Sequence, residues 1–264
     1  MDSHGSRGGL LPGSGMVRWR RTRYGECTVL RPAGVLDVES YRRFGDDLVK
    51  FAVEEPRALI VALDDLVLGG SSMLTAFSAA RARVREWPGV PILLVVAEEA
   101  DRRAVRAALP QTVPVVGSVP AAAQAVDPPS RQRSERLALY PDIASPGRAR
   151  RFLRELCRAW GVEHAEADAE LVVTELVENA LVHGRGDLDL RVELRPDALT
   201  VAVADADPHA AVLREAPPGR MRRHGLHAVA AIARAWGCAP RWPSGKVVWA
   251  SLPIAVAPGL LRKR

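Results

Sequence analysis

The chain has 264 residues, a 48% apolar fraction and a formal charge of +6, which exceeds the usual size of one domain and suffices for two cores. No apolar run approaches the roughly 18 residues that cross a bilayer, and the Gly- and Ser-rich start lacks a secretory core. Cys27, Cys157 and Cys238 are odd in number and far apart, which excludes a disulfide framework and suits a reducing cytoplasm. The basic excess is spread over scattered arginines, at Arg18–Arg23, Arg148–Arg154, Arg220–Arg223 and the terminal Arg262-Lys263-Arg264, and is not gathered into one base-stacking platform. Direct nucleic-acid binding is therefore disfavoured.

In chain order, residues 1–17 read as a disordered tail and residues 18–125 as a first domain of alternating strands and helices. Cys27–Leu30 and Gly34–Leu36 are short extended pieces about a turn at Pro32-Ala33. Val38–Val53 is helical, since Asp37 can cap it and Tyr41, Phe44, Leu48 and Phe51 recur at helical spacing. Ala58–Leu63 is a buried strand, and Ser71 and Ser72 open a helix through Arg85. Pro91–Val96 is a second buried strand. A helix near Asp101–Leu109, a strand at Val113–Val116 and a helix from Val119 follow. This alternation predicts a sheet with helices packed against it.

Residues 126–138, polar and proline-bearing, read as a linker. Residues 139–256 form a second domain: helices over Pro146–Trp160 and about Ala165–His183, then strands Asp189–Leu194 and Leu199–Ala204. A polar loop runs from Asp205 to about Arg223, the helix Leu226–Trp236 follows, and Lys246–Leu252 is a closing strand before a basic tail at 257–264. Helices gathered first and strands later predict an α+β sandwich with the helices on one face.

The most informative segment is Glu175-Leu176-Val177-Glu178-Asn179-Ala180-Leu181-Val182-His183-Gly184. Glu175, Asn179 and His183 recur every four residues, so they drift slowly around one helix face. Leu171, Val172, Leu176, Val177, Ala180 and Leu181 form a broad stripe that would bury the helix against a sheet. An acid and an amide at the margin of such a stripe could meet a metal ion and a nucleotide at a cleft. Taken singly, each residue has a plainer reading: Glu175 and Asn179 as the solvated edge of a buried helix, Asp205 as a turn cap, and Gly225 as a loop glycine. His183 alone reads as a helix C-terminal contact.

The combination resembles the histidine-kinase-like ATPase superfamily, with the bacterial anti-sigma factor serine kinases of actinobacterial type as the nearest branch. Glu175, Asn179 and His183 are similar to its first nucleotide box. Val201-Ala202-Val203-Ala204-Asp205-Ala206-Asp207-Pro208 is similar to the second, and Arg223-His224-Gly225-Leu226 to the third, in which Arg223 replaces a glycine. Ser244-Gly245-Lys246-Val247-Val248-Trp249 resembles the closing strand, and Ala235-Trp236-Gly237 resembles the Trp-Gly that ends the preceding helix.

The resemblance implies ATP and Mg²⁺ as cofactors. Asn179 would coordinate Mg²⁺, which favours hard oxygen ligands and few protein bonds. Glu175 would be the base for an attacking serine, Asp205 the acceptor for the adenine amino group, and Gly225 and Leu226 would adjoin the phosphates. His183 is a family marker, and the Arg220–Arg223 loop could meet the γ-phosphate.

In the first half, Gly34-Val35-Leu36-Asp37 and Gly70-Ser71-Ser72-Met73-Leu74 resemble the STAS domain of anti-sigma factor antagonists. There Ser72, with Ser71 beside it, matches the phosphoacceptor, although Gly70 and Met73 replace the family's aspartate and glycine. The pair reads equally as a helix cap.

The implied fold class is α/β and α+β: a STAS-type sheet with packed helices, then a histidine-kinase-like ATPase α/β sandwich. The implied function is partner switching, with serine phosphorylation of a STAS-domain antagonist and contact with a sigma factor. The alternative is a non-catalytic, nucleotide-dependent interaction module. A histidine kinase fragment is disfavoured because no phosphoacceptor-histidine helix precedes the ATP domain. Homodimerisation is compatible with the family but has no sequence signal of its own.

Overall fold

The computed structural model describes residues 10–11, 17–109, 111–126, 133–211 and 225–254. The chain divides into two compact units, Met1–Pro128 and Pro129–Arg264. Most of the expected tail and all of the basic tail at 257–264 lie outside the described residues.

The first unit begins with β1 (Leu10–Leu11), β2 (Val17–Tyr24) and β3 (Cys27–Leu36), followed by α1 (Val38–Val53). Next come β4 (Leu59–Ala62), β5 (Leu66–Leu68), a 3₁₀ turn at Ser71–Leu74 and α2 (Thr75–Val84). It ends with β6 (Ile92–Val95), α3 (Glu99–Ala108), β7 (Val115–Val116) and α4 (Val119–Gln124). The sheet order is β1-β2-β3-β4-β6-β7, with β5 also paired to β3. β2 and β3 form an antiparallel hairpin, while β4, β5, β6 and β7 join through parallel pairs. Gly25, at φ +57°, supplies the positive φ of the two-residue turn between β2 and β3.

Burial on both sheet faces follows from this topology. Cys27, Val29, Ile60, Leu93 and Val95 meet Ala122 of α4 on one face. The alternate residues Leu30, Leu59, Val61, Ile92 and Leu94 are buried on the other. Trp19, cross-strand from Pro32 and so on the Leu30 side, stacks on Phe44 of α1 with ring centroids 4.8 Å apart. Phe44 in turn meets Phe77 of α2 edge-on at 5.3 Å. The mixed sheet with packed helices is the class that the alternating pattern predicts.

Several local expectations are corrected. Pro32-Ala33 is not a turn, because β3 runs through it. Pro32 falls between the stretches paired with β4 and with β5, so its missing N–H interrupts neither ladder. β2 was not foreseen, since only Val17 and Trp19 of its eight residues are buried. The expected helix from Ser71 opens as a 3₁₀ turn, and Gly70 rather than a serine is the N-cap. α1 does carry the expected cap: the Ser40 amide donates to Asp37 Oδ1 at 2.9 Å, and the Asp37 amide donates to Ser40 Oγ at 2.9 Å.

The second unit contains β8 (Arg133–Leu139), α5 (Ser145–Trp160), a 3₁₀ turn at Glu163–Ala165 and α6 (Glu166–His183). After them come β9 (Leu188–Arg195), β10 (Ala198–Asp205), α7 (Gly225–Ile232), β11 (Ala235–Pro240) and β12 (Lys246–Pro253). The antiparallel sheet has the order β11-β12-β10-β9-β8. Its core joins Leu153, Leu156 and Trp160 of α5 and Val172, Val173, Leu176 and Val177 of α6 to the inward row Leu190, Val192, Leu199, Val201, Val203, Val248, Ala250 and Leu252. The helices thus cover one face of the sheet, as the pattern predicts.

Two expectations change here. Residues 133–138, expected within the linker, belong to β8, an edge strand whose exposed Arg, Ser and Glu residues hid its pairing with β9. Trp236 does not end a helix. α7 stops at Ile232, and Ala235–Pro240 pairs with β12. Gly237 permits this close approach, since a Cβ there would lie 3.0 Å from the Trp249 ring.

Asp47 of α1 is buried, accepts from Trp19 Nε1 at 3.0 Å and faces Lys50 Nζ at 3.3 Å. Asp47→Ala leaves the indole N–H without its acceptor and lowers stability by about 1–3 kcal/mol, measured by urea unfolding.

Candidate nucleotide site

The amphipathic pattern of α6 buries Val172, Val173, Leu176, Val177 and Ala180 and leaves its C-terminal end beside the last residues of β10. There Asn179 and His183 enter a cleft of about 380 Å³ lined also by Asp207, His209, Ala210, Ala211, Gly225, Leu226, His227 and Lys246. Glu175 lies one turn before Asn179 and is half-buried. Of the sequence-predicted site residues, Asn179, Gly225 and Leu226 therefore share one cavity wall, and Asp205 adjoins it through Asp207 and Lys246.

Asp205 ends the inward row Leu199, Val201, Val203, and Lys246 begins the facing row that continues through Val248 and Ala250. The two are directly cross-strand. Lys246 Nζ donates to Asp205 Oδ1 at 2.9 Å and to the Asp207 carbonyl at 3.3 Å, and it lies 3.4 Å from Asp207 Oδ2. The Asp207 amide adds a 2.8 Å bond to Asp205 Oδ1. The side chains of Asp205 and Lys246 are only 0% and 3% exposed, so this is a buried ion cluster. Its low-dielectric setting makes every missing partner costly.

Glycines make room for it. A Cβ on Gly184 would stand 2.3 Å from the Ala180 carbonyl and 2.9 Å from Asp205 Cγ. At Gly245, φ is +132° and a Cβ would come within 2.3 Å of the Asp205 carbonyl. The end of α6 and the start of β12 thus press on Asp205 from either side.

Two polar atoms at this place are buried without a hydrogen-bond partner, Asp205 Oδ2 and Asn179 Nδ2. Unsatisfied polar atoms of this kind are rare in folded proteins and mark positions a polar ligand can complete. An N–H donor suits Asp205 Oδ2. The Asn179 amide offers one hard oxygen, which fits Mg²⁺ when phosphates and water complete the shell. Among the described residues no three His, Cys, Asp or Glu side chains form a metal set, so a bound Mg²⁺ would depend on phosphate oxygens.

Gly225 opens α7 at φ +43°, with open space where a side chain would project. Leu226 is buried and joins the helix–sheet core while touching the cleft. Arg220, Arg222, Arg223 and His224 lie outside the described residues. In the first unit, Ser71 and Ser72 are exposed at the start of the 3₁₀ turn, which has no side-chain cap. Ser72 also offers its carbonyl to Thr75 Oγ1 at 2.6 Å.

The sequence reading passed over Lys246 as a site residue, along with Asp207, His209 and His227. A lysine at the head of an apolar strand, directly after a glycine, was the available signal. The histidines had none, because loop and helix bring them together only in space.

Residues 141–251 match the histidine kinase-like ATPase domain and form such a domain in this chain. Comparison with curated proteins gives no match. Among solved structures, an anti-sigma factor antagonist from Mycobacterium paratuberculosis is similar at 19% identity and a TM-score of 0.36, covering 45% of this chain and 98% of that one. The anti-sigma factor antagonist SpoIIAA in its unphosphorylated form is similar at 17% identity and a TM-score of 0.29, covering 40% of this chain and 94% of that one. Among the described residues no helix is long and apolar enough to cross a membrane.

The cluster sets a pH dependence. The His209 ring, at 2.7 Å, is the main influence that holds the Asp207 carboxyl down to about 2, with Lys246 adding to it. Because the folded value lies below the ordinary carboxylate range, this contribution is complete above about pH 4. It disappears only as pH falls through about 2. Lys246→Met leaves two neighbouring carboxylates without their ammonium and costs about 3–5 kcal/mol near neutrality. Urea unfolding of wild type and variant at pH 8 measures the loss.

Proposed function

We propose that this chain is a partner-switching regulator of sigma factor activity. Its second unit binds ATP with Mg²⁺ and transfers the γ-phosphoryl group to a serine of a STAS-type anti-sigma factor antagonist. The observation that carries this reading is the convergence, within a histidine kinase-like ATPase domain, of Asn179, Gly225 and the Lys246-held Asp205 around one cleft.

In this reading Asp205 Oδ2 accepts the adenine amino group. The buried position makes an exchange of donor for acceptor expensive, so guanine is rejected. Asn179 holds Mg²⁺, which when bound neutralises charge on the phosphates. Gly225 lets the backbone at the start of α7 approach the phosphate chain. Glu175 takes the proton from the attacking serine hydroxyl. The new bond forms between serine Oγ and the γ-phosphorus, the bond to the β-phosphate oxygen breaks, and ADP leaves.

The Gly34–Asp37 and Gly70–Leu74 segments support a STAS-like role for the first unit, with Ser72, or Ser71 beside it, as a phosphoacceptor. Both serines are exposed. A phosphate there adds charge at the start of a helical turn and would alter docking of a partner.

The test incubates the full chain with ATP, Mg²⁺ and a STAS-domain antagonist, and reads phosphoserine on both proteins by mass spectrometry. Transfer is expected to fall about 10²–10⁴-fold in Glu175→Ala with nucleotide binding retained. Asn179→Ala is expected to weaken Mg²⁺-dependent ATP binding in calorimetry. If wild type and Glu175→Ala both leave every serine unmodified while ATP binds, the chain is a nucleotide-dependent interaction module without phosphoryl transfer.

A further inference from the structure

Asp205 uses its two oxygens unequally. Oδ1 accepts from the Lys246 ammonium at 2.9 Å and from the Asp207 amide at 2.8 Å. A carboxylate offers about two acceptor sites on each oxygen, so these two donors fill Oδ1. Oδ2 is buried and has no hydrogen-bond partner among the described residues. Lys246 and Asp207, which hold this carboxylate, both line the cleft.

Lys246 is fixed in this role from several sides. Strand pairing sets it directly opposite Asp205. Beyond Asp205 Oδ1, its ammonium donates to the Asp207 carbonyl at 3.3 Å and faces Asp207 Oδ2 at 3.4 Å, so its three N–H groups meet three oxygens. An aspartate with both oxygens open is a bidentate acceptor, matched to two parallel N–H donors. The guanine edge presents such a pair, N1–H beside the 2-amino group. Adenine instead presents its 6-amino group beside N1, a lone pair that an open second oxygen would repel. An ammonium over one oxygen therefore turns a carboxylate suited to guanine into one suited to adenine.

We propose that Lys246 sets the base specificity of the cleft: by occupying Asp205 Oδ1 it leaves the single acceptor Oδ2 for one exocyclic amine and removes the paired acceptor that guanine would use. It is a positioning residue, acting on the base through Asp205. The proposal rests on the nucleotide reading of the cleft and adds to it the residue that selects the base.

The experiment titrates the full chain with ADP in the presence of Mg²⁺ and measures displacement of ADP by GDP and by inosine diphosphate. The three ligands share ribose and phosphates. GDP and inosine diphosphate differ only in the 2-amino group, so their ratio reads whether a second oxygen accepts. With wild type, both are expected to displace ADP only at concentrations about 100-fold higher, because each offers a carbonyl where Asp205 needs a donor. They are expected to lie within about threefold of one another, less than the gain from a second hydrogen bond to a charged group. Lys246→Met opens one acceptor site on Oδ1, and GDP is expected to gain about tenfold over inosine diphosphate. A purely structural role for Lys246 would weaken all three ligands alike and leave the ratio fixed.

GDP displacing ADP from the wild-type chain about tenfold better than inosine diphosphate would overturn the proposal, since both oxygens would then be accepting. That arm needs no variant and decides the matter even if Lys246→Met fails to fold. An unchanged ratio in a folded Lys246→Met that still binds ADP would overturn it as well, leaving the nucleotide site intact. If none of the three ligands binds the wild-type chain, the nucleotide reading itself falls and the proposal with it.

Discussion

The buried ion cluster of Asp205, Lys246 and Asp207 is the constraint on which the rest of the second unit depends. Desolvating two carboxylates and an ammonium is costly, and the cost is met only when hydrogen bonds occupy nearly every polar atom. Here the ammonium has three oxygen neighbours, and Asp205 Oδ1 also takes the Asp207 amide. Because Asp205 and Lys246 are directly cross-strand, the pairing of β10 with β12 cannot slip by one residue without putting the two charges on opposite faces of the sheet. An electrostatic requirement therefore fixes the register of the central sheet.

That register determines where the helices can end. Gly184 stops α6 within van der Waals reach of Asp205, and Gly245 brings the start of β12 against the Asp205 backbone from the other side. With both glycines in place, Asn179 stands at the cleft wall and one oxygen of Asp205 is left without a protein partner. The two oxygens of Asp205 therefore differ: Oδ1 is held by Lys246 and the Asp207 amide, while Oδ2 has no hydrogen-bond partner.

Legibility in the sequence followed the strength of each local pattern. α6, β10 and β12 were visible because their apolar residues recur with the period of one buried face, and α1 because Asp37 and Ser40 form a local cap. β8 escaped because it is a polar edge strand, and β11 because Trp236 and its neighbours continue a helical apolar rhythm until pairing with β12 claims them. Pro32 suggested a turn by its local preference, and the neighbouring parallel strands overrode it. The ordered motifs brought out Asn179, Asp205 and Gly225. Lys246, Asp207, His209 and His227 stayed hidden because their meaning lies in distances between segments far apart in the chain.

By itself the sequence determined the two-part organisation, the helices and strands with strong periodicity, and the residue types a nucleotide cleft requires. Those are local properties, set by side-chain period, caps and glycine placement within a few residues. Tertiary structure alone decided that Lys246 lies buried between two carboxylates, that Gly184 is pressed against Asp205, and that three histidines share one cleft. Charge pairing and close packing act through space between residues tens of positions apart, so their outcome exists only once the sheet has closed and the helices have docked.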